Sequence, residues 1–514
     1  MTSPTGPTIT NIIVVMLENR SYDNVLGWLY NPSNQPPYKQ APHCQKDLNG
    51  LKGNETNPSP LEGGNPITVM NQTTTTDWKT GTPYPGTTVP VYDPGEPFND
   101  MAQQILGTSS GPSENPYNVN PWPPDSPSLM QGFTLNYSQI KGPFDIEKVP
   151  QDNYPDVMNY LTPAQVPVTA WLANHFAVCD EWFASAPTHT LTNRAFAHCA
   201  APGVHQEIDG NRFSLIDDVQ YVTDRLVTLP SVFSQLDAAF PESASGSPPN
   251  WKVYFHDYSI STMITPYVYS KSKSADNVNV ATFDDSDWGA DPNPLPKPHP
   301  LGTRLGALPS TFLEDLQNNT LPKYSFIEPR YTFNYAPLNN PPNSNHPGGA
   351  NYLDIVVSAN NQPIDVRDGE AFLLEVYNSL YNSGYWSNSL LIITYDEHGG
   401  VYDHVVPPKA VPPGPNIPPV SELGNKAADG FNFNVYGCRV PAIIVSPYVG
   451  AGTTIRPPAG FPPFDHASIL KTVWDCFGIP DSLTERDAAA PSLYQTLSST
   501  AVNTTGPCDV TTLS

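Results

Sequence analysis

Basic residues are scarce in this chain. Its 514 residues include 24 Lys and Arg against 49 Asp and Glu, a net charge of −25. Charged residues make up only 14%, where about 25% is ordinary for a globular protein. An acidic surface repels a phosphate backbone, which excludes nucleic-acid binding through a basic face. An anionic substrate must instead meet a local positive centre: a metal, an arginine or a histidine in a pocket. Cysteine is also scarce, with six residues and no CxxC spacing, so a disulfide scaffold is excluded. Cys179 and Cys199 lie in apolar sequence and read as buried thiols, while Cys44 and Cys508 lie in polar loop sequence and are able to pair. The longest apolar stretches, such as Ile12–Leu17 and Leu390–Ile393, are of strand length. A membrane-spanning helix needs about 18 consecutive apolar residues, and none exists. The start, MTSPTGPTITN, shows no basic segment followed by an apolar one, so no signal peptide is visible.

What is present is a large apolar reserve: 38% hydrophobic residues, among them 26 Tyr and 20 Phe. That suffices for a folded core. The charge deficit is filled by 61 Pro and by Asn, Ser and Thr, a loop-rich polar surface that hints at a secreted or cell-envelope protein. Asn11–Glu18, NIIVVMLE, reads as a buried parallel strand ending abruptly at an active edge. Strands are also expected at Phe176–Ala184, Trp251–Phe255, Tyr324–Glu328, Leu390–Thr394 and Val440–Val445. Helices are expected in the proline-interrupted stretch from Asp156, after Thr190, and at Ser231–Phe240, Thr311–Asn318, Asp365–Asn382 and Asp465–Phe477. The alternation argues an α/β fold with a mostly parallel central sheet flanked by helices. No interdomain linker stands out. One domain is expected over 1–500, with loop insertions at about 31–142 and 260–310 and a loose C-terminal tail at 501–514.

In open α/β sheets, ligands bind beyond the carboxyl ends of the strands. Three candidate strands here end in polar or acidic residues: Glu18-Asn19, Asp396-Glu397, and the run towards Thr188-His189-Thr190. Carboxylates gathered at one edge repel one another unless a cation neutralises them. Taken singly, each of these acids also reads as a solvated loop residue or a cap.

Six segments appear in order along the chain: MLENRSYDNVLGWL, DPGEPF, CDEWFASAPTHTLTNRAFAH, TYDEHGGVYDHVVPP, RVPAIIVSPYV and FDHASILKTVWD. Together they resemble the bacterial and plant phosphoesterase family that contains non-specific phospholipases C and certain acid phosphatases, a branch of the alkaline-phosphatase-like superfamily. The resemblance spans about residues 8–480. It implies that fold, and it implies one divalent ion (Ca, Zn, Mg or Mn) held by Glu18, Asn19, Asp396 and Glu397 together with Thr190. Thr190 is the implied nucleophile, with Asn193 and Arg194 completing a T-x-P-N-R pattern in which Thr192 replaces the family proline. As an ordinary residue, Thr190 would simply be a helix cap.

Of the 11 histidines, His346 is favoured for acid–base or substrate work, then His466. His256, His398 and His404 are substrate-contact candidates, with His398 and His404 as alternative props for neighbouring carboxylates. Asn345 replaces the acid usual before His346, and Glu96 stands in DPGE where several family members have DPGH. An acid there suits a cationic headgroup such as choline. The implied activity is a metal-dependent phospholipase C acting on a phosphatidylcholine-like diester through a phosphothreonine intermediate. The substrate is a phosphoester, with phospholipid at a membrane surface as one candidate, and location is secreted or periplasmic. An acid phosphatase acting on monoesters is the alternative within the class. A non-catalytic binding or toxin-like protein is the alternative from another class.

Overall fold

The computed structural model describes residues 6–30, 48–76, 83–140, 148–221, 226–241, 248–256, 258–272, 279–282, 311–331, 341–348, 363–423 and 425–511. The apolar run at the start of the chain becomes β1 (Asn11–Leu17), buried at every position. Seven further strands join it: β2 (Ala177–Cys179), β3 (Trp251–Phe255), β4 (Val280–Thr282), β5 (Tyr324–Ile327), β6 (Ser389–Tyr395), β7 (Ala442–Val445) and β8 (Thr453–Ile455). Their order across the sheet is β4-β3-β5-β1-β6-β7-β2-β8. β1 runs parallel to both neighbours, Ile12 opposite Tyr324 on one side and Leu390 on the other. Only β7 is reversed, antiparallel to β6 and to β2. The mostly parallel α/β reading therefore holds. Central strands covered on both faces need no polar alternation, which is why NIIVVML and SLLIITY are nearly unbroken apolar runs.

Six helices matter to the site and its supports: α1 (Phe98–Leu106), α2 (Phe133–Gln139), α3 (Pro167–His175), α4 (Thr190–Cys199), α5 (Val366–Tyr381) and α6 (Ala467–Phe477). α4, α5 and α6 lie within two residues of the sequence expectation, while α1 and α2 fall inside the expected first insertion. Two regions differ. The stretch from Asp156 carries only the end of a 3-10 turn, Gln151–Met158, before α3 begins at Pro167; prolines lack the N–H a continuous helix would need, and Pro167 takes the first helical position where that loss is harmless. The strand expected over Phe176–Ala184 is cut to three residues. At Asp180 the chain turns its carboxylate onto Arg456 and the Asn49 N–H, leaving only isolated pairings of Trp182 with Phe464 and Phe183 with Arg439.

Described parts of the first insertion share a second hydrophobic core with the segment that follows β6. Phe98 lies 5.3 Å from Tyr117 and 5.2 Å from Phe431, ring centre to ring centre, and Phe133 packs edge-on to Tyr402 at 5.2 Å. Parts of both expected insertions (31–47, 77–82, 141–147 and 283–310), with Cys44 and its suggested pairing to Cys508, lie outside the described residues. Cys179 and Cys199 are buried thiols, as their apolar surroundings imply. Part of the expected tail is tied to α5: Tyr377 Oη donates to the Gly506 carbonyl at 2.7 Å, and Asn378 exchanges hydrogen bonds with the Cys508 backbone. Among the described residues no helix is long and apolar enough to cross a membrane.

One staple ties the helical layer together. Glu370 of α5, wholly buried, accepts from Val168 N at 2.6 Å, Thr169 N at 2.9 Å and the Thr169 hydroxyl. It thereby satisfies first-turn donors of α3 that have no partner in their own helix. Removing it with Glu370→Ala should leave those donors buried and unpaired, at a cost of about 2–4 kcal/mol in urea unfolding. Burial outweighs these donors and pushes the Glu370 carboxyl up to about 7. A carboxyl raised in the folded state contributes most below its ordinary value and loses that contribution as pH rises through the raised one. Wild type should therefore lose stability relative to Glu370→Gln between pH 5 and pH 8, read from unfolding midpoints at the two pH values.

Candidate active site

The carboxyl ends of β1 and β6 lie side by side, since Leu17 is opposite Tyr395. The residues that follow each strand therefore meet. Asn19, at a positive φ of 60° that asparagine tolerates better than most residues, faces several partners at once. Its backbone N–H donates to Asp396 Oδ1 at 3.1 Å. Its Oδ1 accepts from the Thr190 hydroxyl at 3.2 Å. Its Nδ2 donates to Glu96 Oε1 at 2.6 Å and lies 2.9 Å from His346 Nε2. Gly399 permits this approach: a Cβ there would stand 1.9 Å from the Asn19 carbonyl oxygen.

Thr190 opens α4 one residue after the cap position, which His189 holds. Its hydroxyl is turned to Asn19 instead of back onto its own helix, so capping does not account for it. Asn193 shapes the approach by donating from Nδ2 to the carbonyls of Ala186, Thr188 and His189, while its Oδ1 accepts from Ala186 N. Thr192, where the family has proline, receives the Tyr221 hydroxyl at 3.1 Å and donates to the Ile216 carbonyl at 3.3 Å. A hydrogen-bonded tie thus stands in for proline's stiffness. The first free N–H of α4, on Leu191, is taken by Asp218 Oδ1 at 2.9 Å.

Arg194 is wholly buried and pins the strand tips. Nε donates to Asp396 Oδ2 at 2.9 Å, Nη2 to the carbonyls of Met16 and Leu17, and Nη2 stands 3.9 Å from Glu18 Oε1. Asp396 is thus held on both oxygens, since Oδ1 also accepts from Glu397 N. Glu397 accepts from Gly399 N through Oε2, whereas its Oε1 is buried with no hydrogen-bond donor. Burial, then the Glu96 and Asp396 charges, push the Glu397 carboxyl well above its usual range. Burial likewise raises Glu18 despite Arg194. Crowded carboxylates of this kind call for a cation.

The histidines divide. His346 lies in the cluster, 3.5 Å from Glu96 Oε1. His466 is fully buried, with Nε2 2.6 Å from the Asp396 carbonyl and Nδ1 receiving Trp182 Nε1; burial pulls it down to about 4. It is a neutral prop under Asp396. His398 donates from Nε2 to Gln104 Oε1 at 2.8 Å; burial pulls it down to about 3, and its Nδ1, 3.5 Å from Glu397 Oε2, makes no hydrogen bond. His404 belongs to a separate network, 2.7 Å from Asp23 Oδ2 and 3.0 Å from Asn49 Oδ1 beside Arg439. His256 packs on Phe372, with Nδ1 3.2 Å from the Glu328 carbonyl. Asn345, in place of the usual acid, donates to the Tyr395 hydroxyl at 2.8 Å.

The site also contains residues that the motif reading passes over. His189 lies between Glu96 Oε2 at 3.8 Å and Asp217 Oδ1 at 3.9 Å. Burial alone would lower it, but Asp218, Glu96 and Asp217 raise it to about 9, so the imidazolium persists at neutral pH. Its position directly before Thr190 was a usable signal. So was Asp217-Asp218, which follows the apolar run Phe213–Ile216 just as Asp396-Glu397 follows β6. Two groups of three Asp, Glu and His among the described residues bring ligand atoms within 4.8 Å of one another: Asp93, Glu96 and His346, and Asp23, Asp403 and His404. Acidic and histidine clusters able to take a metal are therefore present.

The chain as a whole is similar to several known proteins. The model of the phosphoesterase family matches residues 9–480. Non-specific phospholipase C3 of Arabidopsis thaliana is 28% identical over 97% of this chain and 75% of its own length. Non-specific phospholipase C1 of the same plant is 29% identical over 94% and 70%. Phospholipase C A of Mycobacterium tuberculosis is 26% identical over 92% and 73%. Among solved structures, an alkaline phosphatase superfamily protein from Vibrio parahaemolyticus aligns over 64% of each chain at 11% identity, with a TM-score of 0.31.

The Asn193 clamp gives a direct test of how the loop is held. Asn193→Ala removes four buried hydrogen bonds. It should lower stability by about 2–3 kcal/mol, and phosphoester turnover should fall at least tenfold even in the fraction that stays folded, as measured by thermal unfolding and a chromogenic assay.

Proposed function

Because the chain belongs to the phosphoesterase family and is a hydrolase of phosphoester bonds, we propose that it acts as a phospholipase C, cleaving a phosphodiester through covalent attack by Thr190. The observation that carries this reading is the Thr190 hydroxyl, turned out of the first turn of α4 to within 3.2 Å of Asn19 Oδ1 and ringed by buried carboxylates. A threonine hydroxyl is a weak nucleophile unless something lowers its pKa. Glu18, Asn19, Thr190 and Glu397, with Asp396 beside them, form an oxygen donor set that suits a divalent ion such as Mg, Ca or Mn, and Zn less well. The unpartnered Glu397 Oε1 fits that role. When bound, such an ion stabilises the Thr190 alkoxide and polarises a phosphoryl oxygen.

The protein's own groups then have these tasks. Thr190 Oγ forms a bond to phosphorus as the bond from phosphorus to the diacylglycerol oxygen breaks. His189, held protonated by its acidic neighbours, gives the departing alcohol its proton. Water next attacks phosphorus, the Thr190–phosphorus bond breaks, and the proton from that water returns to His189. Arg194 and His466 position Asp396, and Asn193 sets the loop.

Carboxylate density also bears on the substrate. Glu18, Glu96, Asp217, Asp218, Asp396 and Glu397 crowd a site in which Arg194 holds Asp396 through Nε and keeps only Nη1 without an acceptor. A diester brings one negative charge and a monoester up to two, so the diester is the cheaper guest. A phospholipid at a membrane surface, met outside the cytoplasm by a secreted or periplasmic protein, is consistent with the phospholipase names of the relatives.

Thr190→Ala should cut turnover by about 10³-fold or more while the unfolding midpoint and metal content stay near wild type; retained turnover would exclude Thr190 as the nucleophile. Dialysis against a chelator should abolish turnover, and a divalent salt should restore it. Parallel assays should favour p-nitrophenyl phosphorylcholine over p-nitrophenyl phosphate, and the reverse preference would support the phosphatase alternative.

A further inference from the structure

We propose that Glu328, at the tip of β5, is a positioning residue for the phosphoester reaction: it balances the Arg194 guanidinium at the corner that Asp396 and β1 leave free, and so fixes the start of α4 on which Thr190 stands. The inference rests on the reading of Thr190 as nucleophile for its setting, and on the geometry around Arg194 for its content.

Sheet register brings the two residues together. β5 lies parallel to β1 with Ile327 opposite Val15, so the next step sets Glu328 beside Met16, and Arg194 Nη2 donates to the Met16 carbonyl at 3.3 Å. Glu328 is 0% exposed, and its backbone N–H goes to the Tyr254 carbonyl at 2.8 Å. Its side chain is held in one direction. Oε1 accepts from Ser261 N at 2.9 Å and from Ser261 Oγ at 3.1 Å. That hydroxyl gives its proton to Glu328, so His198 Nε2, 2.9 Å away, is the donor towards Ser261 Oγ. His198 stands one helical turn after Arg194 in α4, on the same face. Glu328 is therefore tied through Ser261 to the face of α4 that carries Arg194.

Two polar atoms are left over, and they are complementary. Arg194 Nη1 is a buried donor without an acceptor, and Glu328 Oε2 a buried acceptor without a donor. No hydrogen bond joins them; they act on each other through charge, which reaches beyond hydrogen-bond length once both groups are withdrawn from water. After burial, Arg194 is the largest influence on the Glu328 carboxyl. Against burial, Tyr331, Asp396, Glu18 and Glu328 hold the Arg194 guanidinium above its usual range. The Tyr331 ring, three residues on from Glu328, lies 5.4 Å from Arg194 Cζ. Asp396 takes Nε and the end of β1 takes Nη2, which leaves Nη1 for Glu328.

The other groups around Glu328 are neutral, of the same sign or turned elsewhere. Burial pulls His198 down to about 3 and His256 well below its usual range; His256 Nδ1 lies 3.2 Å from the Glu328 carbonyl. Glu18, at the tip of β1, is another carboxylate. Arg330 donates from Nη1 to the Pro341 carbonyl at 3.2 Å. The short helix Ile260–Ile264 contributes only Ser261 and its capping Ser259. Burial, opposed by Arg194, raises the Glu328 carboxyl to about 7. The stability that a raised carboxyl contributes is present below its ordinary value and lost as pH rises through the raised one. Replacing Glu328 by a neutral isostere is therefore not destabilising at pH 8. Turnover moves the other way, because only the ionised form balances Arg194.

The test sets turnover against stability. Full-length protein is assayed between pH 5.5 and pH 8.5 on p-nitrophenyl phosphorylcholine or p-nitrophenyl phosphate, whichever it turns over faster, with thermal unfolding measured alongside. Wild-type kcat should rise through a limb near pH 7. Glu328→Gln should lack that limb, with kcat at pH 8 lower by about tenfold, KM within about twofold and an unfolding midpoint no lower than wild type. Glu328→Asp, which restores the charge on a shorter arm, should recover the limb and part of the lost kcat. A wild-type kcat and pH profile in Glu328→Gln would overturn the positioning role, and so would a fall in kcat that only follows a fall in the folded fraction. Thr190→Ala tests the setting separately: if it abolishes turnover while Glu328→Gln leaves it unchanged, only the role of Glu328 fails, whereas turnover retained in Thr190→Ala removes the nucleophile and the role of Glu328 with it.

Discussion

Asn19 is the residue on which the site turns. Its backbone N–H holds Asp396, its amide oxygen meets Thr190, and its amide nitrogen reaches Glu96 and His346. Four chain segments far apart in sequence are thereby brought to one residue at the tip of β1. The left-handed backbone at this position and the missing Cβ at Gly399 are both needed for it to face them together. Neither is a property of Asn19 alone: the first depends on the turn out of β1 and the second on the turn out of β6.

The site is also a concentration of buried negative charge. Carboxylates withdrawn from water are costly unless hydrogen-bonded, paired or bound to a metal. The protein meets part of that cost with Arg194 on Asp396, backbone N–H groups on Asp396 and Glu397, and His189 near Glu96 and Asp217. Several oxygens are left over, Glu397 Oε1 among them. Glu370, by contrast, has its oxygens met by the first-turn donors of α3.

Much of this was legible along the chain. NIIVVMLEN and LLIITYDEHGG show buried strands ending in acids, and the strand edge follows from those runs. Thr190 and the Asn193-Arg194 pair were legible through the motif resemblance, as was the place of Glu96 near the site. The roles of Asn193 and Arg194 were less so. Asn193 reads as a substrate contact and Arg194 as a structural partner of acids with phosphate second; in the structure Asn193 bonds three carbonyls of its own loop, and Arg194 holds Asp396 and the end of β1 with Nη1 left over. His466 reads as an acid–base candidate, but burial keeps it neutral and directed at the Asp396 carbonyl, while His398, read as a substrate contact or a prop, is held neutral on Gln104. His404 shares a motif with His398 and yet faces Asp23, since the chain passes from one network to the other within six residues.

The amino-acid sequence by itself determined the α/β class, the identity of the strands and the chemical types at their tips. Those follow from local periodicity and from a hydrophobic pattern that only a buried sheet can satisfy. The tertiary structure alone decided which polar atoms are left without partners. Whether a polar group is a ligand, a clamp or a cap depends on partners far away in the chain, such as Thr190 for Asn19, Asn19 for Glu96 and Arg194 for Asp396. No spacing along the chain encodes those distances; they exist only once the sheet has set β1, β5, β6 and α4 side by side.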